Sequence, residues 1–201
     1  MYAPIIKKYT PQLISFGFNG DSKPFYTLEY LPYLPLNEIF VHGRNSIIFW
    51  NKQFDLFLKY FEDSRKSVVG ATVCDIYNKI LLDSKSLYET KTLFRLNEFS
   101  NLEYTDFQNF ETFIKNKKII IKNIVDECIN KTLDLPLVPA ILHGDFCFSN
   151  ILYDSRSQKI KVIDPRGINY NKEMTIYGDQ KYDFAKLTHS LIGLYDFIMA
   201  C

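Results

Sequence analysis

The hydrophobic pattern of the chain changes period twice. Residues 1–37 mix short apolar runs with Pro at 4, 11, 24, 32 and 35 and with Gly17 and Gly20. Two strand-like runs, QLISFGF (12–18) and PFYTLEYL (24–31), flank the turn-rich NGDSK. That spacing predicts a small β-hairpin, followed by the connector LPYLPLNEIF. From about residue 45 the period becomes helical. In NSIIFWNKQFDLFLKYFEDS, Trp50, Phe54, Phe57 and Phe61 recur at spacings of four, three and four, with Asn45 or Ser46 as N-cap. Segments 70–82 and roughly 86–98 read as helices as well. From Thr105, TDFQNFETFIKN carries a third such pattern, with Glu111 as a first-turn partner. KKIIIKNIVDECINKTL (117–133) starts with an Ile-rich run, yet its length and lack of breakers predict a helix.

Pro136 and Pro139 end that run, and three short β-type segments follow: AIL (140–142), NILYD (150–154) and KIKVID (159–164). The polar link DSRSQK predicts a hairpin turn between the last two. The finish, QKYDFAKLTHSLIGLYDFIMAC, is again helical, with Leu187, Leu191, Leu194 and Ile198 on one face. The expected class is α+β, mostly helical, with β structure confined to the start and to 140–164. There is no internal repeat and no low-complexity tract.

Composition narrows the picture. With 201 residues, 47% of them hydrophobic, the chain can bury a core and suits one domain or one large lobe. The 24 basic and 23 acidic residues leave a net charge of +1, so no basic excess argues for nucleic acid. The 17 Phe and 14 Tyr fall mostly in periodic segments and read as core. Cys74, Cys128, Cys147 and Cys201 form no CxxC pair and suggest neither a disulfide framework nor a zinc site. The N-terminus has no signal-peptide run and no stretch approaches 18 apolar residues. The expectation is a cytoplasmic protein without a membrane span.

The chemistry concentrates in ILHGDFCFSNILYD (141–154), which sets His143, Asp145 and Asn150 inside an apolar run. Asp145 and Asn150 lie five residues apart across a loop. Asp164 follows fourteen after Asn150, at the end of the second strand of the hairpin. The three can therefore converge at one end of a short sheet. Carboxylates drawn together need a counter-charge, because burying them without partners costs several kcal/mol. A divalent cation on Asn150 and Asp164 would supply it and leave Asp145 free as a base. Oxygen ligands of this kind suit Mg²⁺.

H-G-D-x-x-x-x-N, here HGDFCFSN, followed by the I-D of VIDPRG, resembles the catalytic and metal loops of the aminoglycoside phosphotransferase and choline kinase-like family. These are small-molecule kinases with a protein-kinase-like fold, and the related protein-kinase pattern is a known template for phosphoryl transfer. The resemblance implies that Asp145 orients and deprotonates an acceptor hydroxyl. It implies that Asn150 and Asp164 bind Mg²⁺ bridging the phosphates of ATP or GTP, and that His143 braces the loop. FYTLEYLPYLPL (25–36) resembles the last small-lobe strand and the hinge, where the backbone around Glu29, Tyr30 and Leu31 would meet adenine. YGDQKYDFAKLTHS resembles the D-x-A-K/R segment that opens the next helix, with Asp183 capping that helix and bracing the loop. DPRG and YGD…YDFAKL look closest to kinase-like proteins of bacterial surface-polysaccharide synthesis.

On this reading the chain is the mostly helical C-terminal lobe of a protein-kinase-like fold. Residues 1–37 would be a small-lobe remnant of hairpin and hinge. Residues 38–201 would be the large lobe, with the catalytic hairpin at 140–164. The N-terminal lobe is largely missing: only about 25 residues precede the hinge-like segment, too few for a glycine-rich loop and a phosphate-binding Lys. Lys7 and Lys8 sit too near the terminus, and Gly17 and Gly20 too near the hinge, for those roles. A separate chain or segment would have to supply the small lobe.

Other polar residues read more plainly. Cys147 has no base partner for a nucleophile. Arg166 either contacts a phosphate or acidic substrate or pairs with a loop carboxylate. Asp179 suits a turn and His189 suits surface packing. Two functions follow: a phosphotransferase acting on the hydroxyl of a small molecule such as a sugar or capsule precursor, or a catalytically inactive kinase-like remnant serving as a binding or regulatory module.

Overall fold

The computed structural model describes residues 4–68, 73–102, 111–114 and 117–200. A short helix α1 (Pro4–Lys7) leads into the hairpin of β1 (Leu13–Phe18) and β2 (Pro24–Leu28). Asn19 closes its turn by accepting the N–H groups of Asp21 and Lys23 at 3.1 and 2.9 Å. After β3 (Leu34–Pro35) come three helices: α2 (Leu36–His42), α3 (Ile47–Lys66) and α4 (Val73–Lys85). A single π-helical turn (Ser86–Thr90) runs directly into α5 (Lys91–Leu102). Strands β4 (Glu111–Ile114) and β5 (Lys117–Ile120) precede α6 (Ile121–Asp134). The rest comprises β6 (Pro139–Ile141), a 3₁₀ turn (Phe148–Asn150), β7 (Ile151–Asp154), β8 (Lys159–Val162), β9 (Tyr177–Asp179), α7 (Lys181–Leu191) and α8 (Tyr195–Ala200). The class is α+β, with small antiparallel sheets among helices. No described helix is long and apolar enough to cross a membrane.

The long helix α3 organises the core. Ser46 is its N-cap, accepting the N–H of Phe49 at 3.3 Å. Its buried stripe is Gln53, Phe57, Tyr60, Phe61 and Ser64. Phe54, expected on that face, sits at its edge and is 38% exposed. The stripe packs against Phe146 and Phe148 of the loop ahead of β7, with Tyr60 stacked on Phe146 at 4.6 Å and Trp50 on Phe148 at 5.6 Å. Such pairs add directional preference to plain area burial.

Strand β7 is the centre of a three-stranded sheet, paired with β3 on one side and β8 on the other. The free edge of β8 is met by the N-terminal segment: Val162 N–H donates to Tyr9 O at 2.7 Å, and Lys161 Nζ donates to Thr10 O at 2.9 Å. Ile6 and Tyr9 lie in the main core, and Tyr9 donates to Asp63 at 2.7 Å. Residues 4–10, grouped by sequence with the small-lobe remnant, thus pack with the large helical body. Lys8 is taken up by Asp63 at 2.7 Å.

Three expectations are corrected. Of the helix expected from Thr105, residues 105–110 lie outside the described residues, and Glu111–Ile114 is a strand. It pairs with Lys117–Ile120, the Ile-rich start expected to be helical. β-Branched side chains restrict χ1 and favour extended backbone, which outweighs the lack of breakers there. The last helix divides at Gly193 and Leu194. Glycine is costly in a helix interior, and Leu194 takes a φ of 51°, so Leu194 and Ile198 do not continue the face of Leu187. Strand β9, not expected, pairs with β6.

Candidate active site

The loop from His143 to Asn150 leaves β6 and enters β7. Gly144 makes the turn possible: its φ is 81°, and a Cβ there would lie 2.7 Å from Cβ of Arg166. Both reasons demand glycine between His143 and Asp145. The loop is held from below by Asp183 in the first turn of α7. One carboxylate oxygen accepts the N–H of His143 at 2.8 Å, and the other accepts that of Gly144, also at 2.8 Å. The expected helix-capping role is replaced by this bracing, since neither oxygen is turned to the helix's own amides. Burial pushes the Asp183 carboxyl up to about 7, against the two loop N–H groups that favour its charged form.

His143 is buried and bonded on both ring nitrogens. Nδ1 accepts the N–H of Asp145 at 3.2 Å, which places the proton on Nε2, donated to Ile163 O at 2.9 Å. Burial lowers its pKa, so it stays neutral and ties the loop to the end of β8. It is a brace.

Asp145 is half-buried at the loop's tip. Asn150 Nδ2 donates to its backbone carbonyl at 2.9 Å and to its carboxylate Oδ2 at 3.2 Å. On the other side Lys186 Nζ lies 2.7 Å from Oδ1. Burial alone would raise the Asp145 carboxyl. The hydrogen bond and charge of Lys186 outweigh that and hold it below the usual carboxylate range. Lys186, the Lys of the D-x-A-K/R segment, is a candidate-site residue to which the sequence assigned no role. Its signal was present: it stands three positions after Asp183 on α7, and helical spacing puts both on one face.

The strand register brings the backbones of Asn150 and Asp164 to one end of the sheet. Ile151 pairs with Val162, and the Ile163 N–H donates to Asn150 O at 3.0 Å, so Asp164 follows directly. Asp164 is exposed and takes a φ of 57°. Among the described residues no hydrogen bond or ion pair engages its carboxylate. Asn150 Nδ2 donates to Asp145, which leaves Oδ1 as its remaining side-chain acceptor. A carboxylate and an amide oxygen fit a hard, oxygen-seeking cation such as Mg²⁺ that keeps water and phosphate as further ligands. Among the described residues no three His, Cys, Asp or Glu gather as a metal-ligand group.

Arg166 is exposed and fixed through its backbone N–H to His143 O at 2.8 Å. Its guanidinium lies over Tyr182, 5.6 Å from the ring centroid. Glu29, Tyr30 and Leu31 lie in the connection between β2 and β3. Glu29 closes a reciprocal pair with Gln12, donating its N–H to Gln12 O at 2.8 Å and accepting the Gln12 N–H at 3.0 Å. Tyr30 projects into solvent. Among the described residues no contact joins these three to Asp145, Asn150 or Asp164. Cys147 is buried with its thiol against Ser149, Asp179 serves the turn before α7, and His189 stacks on Tyr195. None of the three joins the loop's polar cluster.

Comparison of the chain with family models, curated proteins and solved structures finds no match.

Proposed function

We propose that this chain is a small-molecule phosphotransferase of the aminoglycoside phosphotransferase and choline kinase-like kind. It would move the γ-phosphoryl group of ATP or GTP to an alcohol group, with a sugar or a capsule or lipopolysaccharide precursor as the acceptor class. The observation that supports this best is the union of Asp145 and Asn150 in one braced loop, with Asp164 placed beside Asn150 by the strand register. Phosphoryl transfer asks a protein mainly for positioning and charge neutralisation.

In this reading Asp145 receives the proton of the acceptor hydroxyl and aims its oxygen. Lys186 keeps that carboxylate ionised, and Asp183 and His143 hold the loop. Asn150 and Asp164 would hold Mg²⁺, which neutralises phosphate charge when bound. The backbone of Glu29–Leu31 would meet the base, and a separate chain or segment would cover the phosphates. Nucleotide dependence suits a cytoplasmic setting.

The test is Mg²⁺-dependent nucleotide binding by calorimetry, alongside turnover on sugars and amino alcohols. Asp145→Ala is expected to keep binding and lose turnover, and Asp164→Ala to lose the Mg²⁺ dependence. Unchanged Mg²⁺-dependent binding in Asp164→Ala would sink the metal assignment. A second reading, a catalytically inactive binding or regulatory module, draws support from the exposed apolar hairpin β1–β2 and from the Lys186 ion pair that occupies Asp145. Absence of turnover across the acceptor panel, even with a small lobe supplied, would favour it.

A further inference from the structure

Away from the loop, a cavity of about 1020 Å³ opens between the π-helical turn and α5, α6 and the start of α7. Its walls are apolar, built from Leu87, Leu96, Ile124, Ile129, Val138 and Phe184. Small-molecule sites run to about 300–1,000 Å³ and combine apolar walls with a few polar groups that fix orientation. This one stands at the top of that range. Apolar space is poorly filled by water, which needs several polar partners.

The charge of the rim says more. Arg65, Lys91, Arg95 and Lys181 line the cavity, and among the described residues no Asp or Glu does. Arg95 is paired with Glu98 at 3.0 Å and Lys181 with Asp179 at 3.2 Å. Arg65 and Lys91 meet no carboxylate among the described residues. Arg65 donates to Gln180 Oε1 at 2.6 Å and Lys91 to the Tyr182 hydroxyl at 2.9 Å. That hydroxyl also receives Arg166 at 3.4 Å. The Lys91 ammonium and the Arg166 guanidinium lie 5.3 and 5.6 Å from the Tyr182 ring centroid. Two cations therefore share one phenol where the apolar cavity ends, and a cation beside apolar walls is unfavourable without a counter-charge.

We propose that this cavity binds an amphipathic anion, its apolar chain lying between α5, α6 and α7 and its anionic head on Lys91 and Tyr182 beside Arg166. Arg166 in turn is bonded to the backbone of the HGD loop, so the head faces the side of the molecule that carries Asp145. Were the phosphoryl-transfer reading correct, this ligand would be the acceptor. The binding itself does not rest on that reading.

Dodecyl phosphate, kept below its micelle concentration, is the probe, titrated into the whole chain by calorimetry. Saturable binding of one molecule per chain is expected, with dodecyltrimethylammonium at least tenfold weaker. Lys91→Met keeps the stem and removes the charge, and should weaken dodecyl phosphate at least tenfold. Ala185→Trp, at an exposed position of α7 that lines the cavity, should abolish binding while leaving the circular dichroism and melting temperature unchanged. The head-group comparison uses the unaltered chain and so does not depend on either variant folding. Absence of saturable binding, equal affinity for the cationic amphiphile, or unchanged affinity in both folded variants overturns the proposal. Dodecyl phosphate carries no hydroxyl to accept a phosphoryl group, so its binding leaves this site standing whatever the sugar and amino-alcohol panel returns for the phosphotransferase reading.

Discussion

In the hairpin of β7 and β8, Ile151, Ile160 and Val162 are at most 2% exposed, whereas across β1 and β2 Phe16, Phe18 and Tyr26 remain 77%, 74% and 68% exposed. Both hairpins are antiparallel and both are rich in apolar residues. The difference lies in what meets them. β7–β8 has β3 on one edge, the backbone of Tyr9 on the other, and α3 with the loop aromatics against its face. β1–β2 stands as two strands with open edges. Its register sets Leu13, Phe16 and Phe18 opposite Leu28, Tyr26 and Pro24 on one face, and the irregularity at Ile14 keeps Leu13 in phase. Two strands alone are marginal in water; a third strand or a packed face makes them independent. A rigidly held loop such as His143–Asn150 can be hung only on the first kind of hairpin.

The sharpest way to break the contrast is to hollow out the buried side. Phe148 is fully buried against Trp50, Phe40 and Phe57. Phe148→Ala should destabilise the protein by about 3–5 kcal/mol in urea unfolding. Asp183→Ala strands two buried loop N–H groups and should cost about 3 kcal/mol, read the same way.

Asp183 also makes stability depend on pH. Its carboxyl is near 4 when unfolded and is raised to about 7 by burial, so folding takes up a proton between those values. Its contribution is full below about 4 and fades as pH rises through about 7, and Asp183→Asn should flatten that decline in urea midpoints. On the phosphotransferase reading, Lys186→Ala frees the Asp145 carboxyl to climb, so the acid limb of kcat/KM should move to higher pH. An unmoved limb would separate Lys186 from the base.

The smallest effect belongs to the exposed hairpin. Phe16→Ser should change global stability by no more than about 0.5 kcal/mol. Hydrogen exchange should sharpen the same point: β1–β2 amides exchange through local opening, while β7–β8 amides wait for global unfolding.

Much of the fold was legible in the periods. The spacing of Phe57 and Phe61 announced α3, the NGDSK and DSRSQK turns announced both hairpins, and Ser46 was available as a cap. The loop was legible too, because the polar residues at 143, 145 and 150 sit close together in the chain, whereas the need for glycine at 144 came only with its φ and the approach of Arg166. What escaped were pairings whose partners lie far away or whose local signals conflict. β9 is three residues long and exists because β6 accepts it. The Ile-rich start of the expected helix at 117 became a strand once Glu111–Ile114 lay beside it.

Alternation, capping and turn chemistry act over a few residues, so the sequence by itself determined the helix α3, the hairpins β1–β2 and β7–β8 and which polar groups share the loop. Only the tertiary structure decided that Lys186 meets Asp145, that Asp183 spends both oxygens on amides 40 and 39 positions away, and that one hairpin is buried while the other is bare. Those outcomes depend on which surfaces come together, and an ion pair or a buried face has no energy until its partner arrives.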